Sequence, residues 1–83
     1  MAQIEFKPRW REELVAISAD GKLVFELTMG RLHVYFPDQA RWLALAPAWA
    51  RDQWPAYHDA CQRWCQQNRV PMTLTADAHF CEE

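Results

Sequence analysis

The sequence contains only two glycines, Gly21 and Gly30, and no glycine-rich loop. A phosphate-binding loop needs closely spaced glycines so that the backbone can approach the phosphates, and this chain does not have them. Each glycine lies beside segments of alternating polarity and is predicted to form a turn. The chain also carries no recognisable catalytic motif, so we expect a protein that is not an enzyme and that binds no cofactor.

Long apolar runs and a strong charge of either sign are also missing. No segment approaches the ~20 apolar residues of a membrane span. Nine basic residues stand against eleven acidic ones, and the net charge of -2 gives no field that would attract nucleic acid or an anionic membrane. The first residues lack the basic and then apolar stretch of a secretion signal. We therefore expect a cytoplasmic protein, with neither nucleic acid nor a membrane as its partner.

Cysteine is scarce, and its odd number, three, argues against a disulfide-stapled secreted fold. Cys61 and Cys65 lie four residues apart in a predicted helix, and His58 shares their face, as ligands of one metal would. Cysteine is often buried, however, and both lie in the apolar stripe of that helix, so we predict packing and no metal. His79 and Cys81 would add ligands only if the end of the chain folds back beside the helix.

What the sequence does have is a large apolar and aromatic content. Of its 83 residues, 51% are hydrophobic, and they include five Trp, four Phe and two Tyr. Large aromatic side chains bury much area per residue, so a chain of this length can form a core without a metal or a disulfide. The length allows one domain, residues 1–83.

Two consecutive β-hairpins are predicted over residues 17–36, sharing a strand at residues 22–29 whose polarity alternates with a period of two. We prefer a bulged three-residue first turn at residues 19–21, which pairs Ile17 with Leu23 and Val15 with Phe25. A two-residue turn at residues 29–30 would pair Leu27 with Leu32, Phe25 with Val34, and Leu23 with Phe36. The predicted core therefore contains Val15, Ile17, Leu23, Phe25, Leu27, Leu32, Val34 and Phe36, with Tyr57, Cys61 and Trp64 from a helix.

The flanking segments complete an α+β prediction: an antiparallel β-meander, with helices packed on one face and a C-terminal strand returning to the sheet. We expect strands at residues 2–7 and 13–18, and a helix at residues 39–46 capped by Asp38. A second helix is expected at residues 48–68, where Pro55 either kinks the helix or begins a new one; we favour the kink. Residues 70–75 read as an edge strand, followed by an acidic tail that Phe80 could anchor.

The opposite face of the meander is predicted to stay open, because helices can cover only one face of a sheet in so short a domain. In the preferred register it carries Leu14 and Ala16 beside polar residues, with Glu26 facing His33 and Val24 facing Tyr35. Tyrosine and arginine are enriched in protein interfaces, and carboxylates speed association with a basic partner. The predicted partner-binding residues are Glu26, Arg31, His33 and Tyr35, assisted by Asp77, Glu82 and Glu83.

Four segments in the second half of the chain resemble small immunity proteins of bacterial secreted (polymorphic or type VI) toxin systems. They are residues 36–42 (FPDQARW), 46–50 (APAWA), 63–66 (RWCQ) and 70–71 (VP). The resemblance implies a short cytoplasmic protein that binds its cognate toxin tightly and inhibits it. The alternatives are a structural or regulatory homo-oligomer, such as a homodimer that uses the open face or an edge strand, and then a thiol- or metal-dependent enzyme.

Overall fold

A computed structural model describes residues 3–9, 12–28 and 30–83. In chain order it contains β1 (Glu5–Arg9), β2 (Glu13–Ser18), β3 (Gly21–Thr28), β4 (His33–Pro37), α1 (Gln39–Leu45), α2 (Trp54–Asn68), β5 (Met72–Thr75) and β6 (Phe80–Glu82).

The strands form a six-stranded sheet in the order β1-β2-β3-β4-β5, with β6 beside β3. Every pairing is antiparallel except that of β4 with β5, which is parallel. This arrangement confirms the α+β meander, and the C-terminal part of the chain does return to the sheet. No helix among the described residues is both long enough and apolar enough to cross a membrane.

Stacked aromatic rings form the core between the sheet and the two helices. Phe25, at the centre of β3, lies 5.0 Å from Phe36, 5.6 Å from Phe80 and 6.2 Å from Trp42, measured between ring centroids. The polar atoms in this core are satisfied: Trp42 Nε1 donates to the Ala50 carbonyl at 2.9 Å. Trp42 of α1 and Tyr57 of α2 belong to the same core, so both helices cover the same face of the sheet. The core members from β1, β2 and the helices include Phe6, Leu14, Ala16, Trp42, Tyr57, Cys61 and Cys65.

The predicted register of the first hairpin is wrong by one residue. Leu14 lies opposite Phe25 and Ala16 opposite Leu23, so these two β2 residues face the helices and are fully buried. Val15 and Ile17, which we had predicted in the core, face the other side of the sheet. Strand β2 is apolar on both faces, so its sequence could not choose between the two registers, and a one-residue slip exchanges the faces completely.

Position 21 requires glycine because a side chain there would clash with a neighbouring ring, and not because the turn contains a bulge. A Cβ atom built on Gly21 would lie 2.7 Å from the Trp49 ring, which is closer than carbon atoms approach. The turn closes with Ser18 opposite Gly21. The Ser18 hydroxyl donates to the Gly21 carbonyl at 3.2 Å.

The second hairpin is displaced by two residues, which keeps the predicted face but changes the partners. Leu27 pairs with Val34, and the connection spans the residues between Thr28 and His33; one of its two predicted turn residues, Met29, lies outside the described residues. The Thr28 hydroxyl donates to the Arg31 carbonyl at 2.9 Å and so stabilises this longer loop. Leu32 consequently lies in the loop with 45% of its surface exposed, and its placement in the predicted core is wrong.

Helix α1 begins as predicted, since the Asp38 carboxylate accepts a hydrogen bond from the Arg41 backbone N–H at 2.8 Å. The favoured kinked helix over residues 48–68 is wrong. Residues 48–52 form turns, and Pro55 lies in the first turn of α2, where its missing N–H costs no hydrogen bond. The predicted end near Asn68 is confirmed, with Arg69 in the left-handed conformation as the C-cap.

The two ends of the chain also differ from the prediction. Strand β1 lies further along the chain, at Glu5–Arg9, and contains Pro8, which an edge strand tolerates because one side of it makes no ladder hydrogen bonds. The predicted acidic tail is strand β6, anchored by Phe80 as expected and paired with β3.

Candidate functional site

The face of the sheet that the helices leave uncovered is polar at its rim and apolar at its centre. Val15 and Val24 lie opposite one another there and are both buried, although they do not belong to the core cluster. Glu13 and Glu26 form the next pair of the same two strands on this face. This face therefore combines an apolar centre with adjoining carboxylates.

Two carboxylates lie directly opposite each other in the Glu13–Glu26 pair. Like charges at directly opposed positions destabilise a sheet. Arg9 provides a counter-charge for one of the two carboxylates, because its Nε donates to Glu13 Oε1 at 2.8 Å. Glu26 is half-buried and has no ion-pair partner among the described residues.

Glu26 also lies at the position on β3 where the neighbouring strand changes from β6 to β4. One edge of β3 pairs with β2, while the other edge pairs first with β6, up to Phe25, and then with β4, from Glu26 onwards. The change of neighbour from β6 to β4 along this edge of β3 coincides with a crevice beside Glu26. Two adjoining depressions of about 330 and 310 Å³ occupy this crevice, and Glu26 and His79 line both.

The crevice brings together side chains that are distant in the sequence. One depression is lined by Val24, Cys81 and the edge of Phe80, and the other by Tyr35, Thr75 and Asp77. Asp77 and Glu26 give the crevice two carboxylates, and no lysine or arginine is among the described residues that line it. The site can therefore accept a cationic or hydrogen-bond-donating group beside an aromatic ring.

The predicted neighbours of Glu26 need correction. Glu26 faces Tyr35 and not His33, and Val24 faces Val15 and Cys81 and not Tyr35. These changes follow from the two-residue displacement of the second hairpin and from the insertion of β6.

His33 and Arg31 lie beside the crevice, outside its lining. The His33 ring stacks on Tyr35 at 4.5 Å, and its Nε2 is 2.7 Å from Thr73 Oγ1 on β5. These contacts hold Tyr35 in place at the margin of the crevice. Arg31 lies exposed in the loop between β3 and β4.

The three acidic residues predicted to assist binding are in different places. Asp77 lies in the crevice, whereas Glu82 Oε2 accepts a hydrogen bond from Trp49 Nε1 at 2.6 Å on the helix-covered side. Glu83 Oε2 is 2.5 Å from Arg9 Nη1, and its backbone N–H donates to the Lys22 carbonyl at 3.0 Å. The Glu82 and Glu83 carboxylates therefore hold β6 against the rest of the molecule, and Asp77 is the member whose carboxylate has no ion-pair partner among the described residues.

The sequence did not predict that His79 and Cys81 lie in this crevice. A signal was available, because in an extended segment His79 and Cys81 must point away from the face that Phe80 occupies. The three-residue strand β6 is too short for that alternation to stand out from the sequence.

The paired cysteines of α2 lie on the opposite side of the sheet from this crevice. The hydrogen bond between the two thiols and then their burial raise the pKa of Cys61, while the same hydrogen bond lowers the pKa of Cys65. Cys61 is fully buried and Cys65 is 3% exposed, so neither thiol is accessible to a substrate. His58 stacks on Trp54 at 4.8 Å, and the described residues contain no cluster of potential ligands that could hold a metal.

A larger surface depression, about 640 Å³, lies elsewhere, between the start of β1 and the turn after β2. Its lining includes Glu5, whose carboxylate already pairs with Lys7 at 3.0 Å, and Asp20. The crevice at Glu26 is the better candidate, because it joins an aromatic ring to a half-buried carboxylate that no described residue pairs with. No protein-family model, curated protein or solved structure matches the chain.

Proposed function

We propose that this protein is a small protein-binding module of the immunity type, which binds a cognate bacterial toxin in the cytoplasm and inhibits it. The observation that supports this most strongly is the state of Glu26. A half-buried carboxylate opposite a second carboxylate weakens the sheet, and a surface under selection only for stability would replace it. In this proposal, a partner that places a positive charge beside Glu26 offsets the repulsion between Glu26 and Glu13. Binding of that partner accounts for the carboxylate at this position.

The partner that fits the crevice carries a lysine or arginine side chain at its contact surface. Glu26 and Asp77 provide the carboxylates, and Tyr35 provides an aromatic surface on which a guanidinium or an aliphatic stem can lie. A toxin that acts on nucleic acid or on a nucleotide has a basic site, which matches this surface in charge. In this proposal Arg31 and His33 contact the partner at the rim, and Glu82 and Glu83 act through the positioning of β6. The module acts by binding alone and uses no cofactor.

The test is co-expression with the products of the two genes that flank its own gene. We expect one of these products to arrest bacterial growth, this protein to restore growth, and the two proteins to purify as a complex. Glu26→Lys and Tyr35→Ala should each weaken the complex by about ten-fold or more, at about 1.4 kcal/mol per decade, measured by titration calorimetry.

The matched control is Leu43→Ala, which changes an exposed side chain on α1, away from the open face. It should bind and restore growth as the parent does. Circular dichroism of all three variants confirms that they are folded. Two flanking products that are both harmless, or unchanged affinity of both open-face variants, would contradict the proposal.

A further inference from the structure

The two outer strands of the sheet are protected to very different degrees. Strand β1 carries charged side chains at Glu5, Lys7 and Arg9 and contains Pro8, all features that discourage pairing with another strand. Strand β5, with the sequence MTLT, has no charge and no proline, and Leu74 on it is 44% exposed. Of these two strands, β5 is therefore the one that is open to a further strand.

The hydrogen bonds to β4 show which backbone groups of β5 are free. The Pro71 carbonyl accepts from the Val34 N–H at 2.9 Å, and the Thr75 carbonyl accepts from the Asp38 N–H at 3.2 Å. Alternate residues of a strand direct their N–H and C=O groups to the same edge, so Thr73 also points toward β4. Met72 and Leu74 direct theirs outward, where no described strand pairs with them.

We propose that β5 pairs antiparallel with β5 of a second copy of this chain, around a twofold axis that passes between the two Thr73 residues. In this register Met72 lies opposite Leu74 of the second copy. All the outward N–H and C=O groups of β5 then find partners, because both copies direct the groups of Met72 and Leu74 toward the shared edge. The interface is isologous, as a closed dimer requires.

The side chains match in the same register. Met72 and Leu74 lie on the helix-covered side of β5, so an apolar side chain meets an apolar one across the interface and covers the exposed surface of Leu74. Thr73 meets Thr73 on the open face. Since β5 has only four residues, the contact is smaller than a standard interface of roughly 1,600 Å², and we expect a weak, concentration-dependent dimer.

The pairing extends the sheet through both copies and leaves both crevices on the same side of it. A local twofold axis in an antiparallel sheet is perpendicular to the sheet, so each face continues into the same face of the other copy. The dimer does not depend on the proposed toxin partner, since Glu26 and Tyr35 do not lie on β5.

Disulfide trapping tests the register directly. Thr73→Cys in a Cys81→Ser background places two cysteines at directly opposed positions, with Cβ atoms about 4.5–5.5 Å apart. Mild oxidation should convert this variant to a covalent dimer much faster than Glu5→Cys in the same background, which places the cysteine on the protected edge. Equal rates of cross-linking in the two variants would overturn the proposed register.

Sedimentation of the unmodified protein over a wide concentration range supplies the second measurement. We expect the parent to shift from monomer to dimer as its concentration rises. Leu74→Pro removes an outward N–H that β4 does not use, and it should raise the dimer dissociation constant by about ten-fold or more with an unchanged circular dichroism spectrum. A parent that stays monomeric throughout, or a Leu74→Pro variant that dimerises as well as the parent, would contradict the proposal.

Discussion

The two faces of the sheet differ in how completely their polar groups and charges are satisfied. On the helix-covered face, Phe25 stacks with aromatic neighbours, and no buried side-chain nitrogen or oxygen among the described residues lacks a hydrogen-bond partner. On the open face, Glu13 and Glu26 oppose each other, and within residues 3–9, 12–28 and 30–83 only Glu13 has a counter-charge. The first face has the properties of a surface that serves stability, and the second is the face that we propose contacts another molecule.

This difference separates residues whose loss unfolds the protein from residues whose loss leaves it folded. Aromatic residues occur on both faces, so residue type alone does not distinguish the two groups. Phe25 is 1% exposed, whereas Tyr35 is half-buried at the margin of a crevice. Substitutions matched in size on the two faces therefore test the comparison.

The largest effect is expected from truncation of Phe25. Phe25→Ala removes the ring that contacts Phe36, Phe80 and Trp42, and it should lower the free energy of unfolding by roughly 3–5 kcal/mol in urea denaturation. Tyr35→Ala removes an aromatic ring of similar size from the open face and should cost about 1 kcal/mol or less. Equal losses in the two variants would show that both faces serve stability.

A smaller effect is expected at the paired thiols on the helix-covered side. Replacing both Cys61 and Cys65 by Ala leaves two small cavities, and it should lower the free energy of unfolding by roughly 2 kcal/mol, at about 1 kcal/mol for each methyl-sized void. The double variant should still restore growth in the co-expression assay. Stoichiometric zinc in the purified parent, lost in the double variant, would instead assign the thiols a metal.

The sequence predicted the face of β3 correctly but not the face of β2. Leu23, Phe25 and Leu27 alternate with polar or smaller residues, so the buried side of β3 was clear. In β2, residues 14–17 read LVAI, and no pattern of polarity distinguishes the inward residues Leu14 and Ala16 from the outward ones. In the observed register Gly21 lies against Trp49, a contact with a segment far along the chain that local periodicity does not encode.

The candidate site was only partly predictable for a similar reason. Glu26 and Tyr35 were expected on the open face from the alternation of their own strands. Their proximity to Asp77 and His79 depends on β6 entering the sheet beside β3, a long-range pairing that local periodicity does not encode. The edge of β3 that β6 and β4 share is a property of the fold. Its contribution to the site follows from the sheet topology and not from any local sequence pattern.

The most direct test of the account is the free energy of unfolding of Glu26→Gln compared with that of the parent protein. If Glu26 serves binding and not stability, removal of its charge relieves the repulsion with Glu13, and the variant should be as stable as the parent or more stable by about 0.2–1 kcal/mol. The same variant should bind the proposed partner more weakly. A variant less stable than the parent by about 1 kcal/mol or more would show that Glu26 is a structural residue and would contradict the central claim.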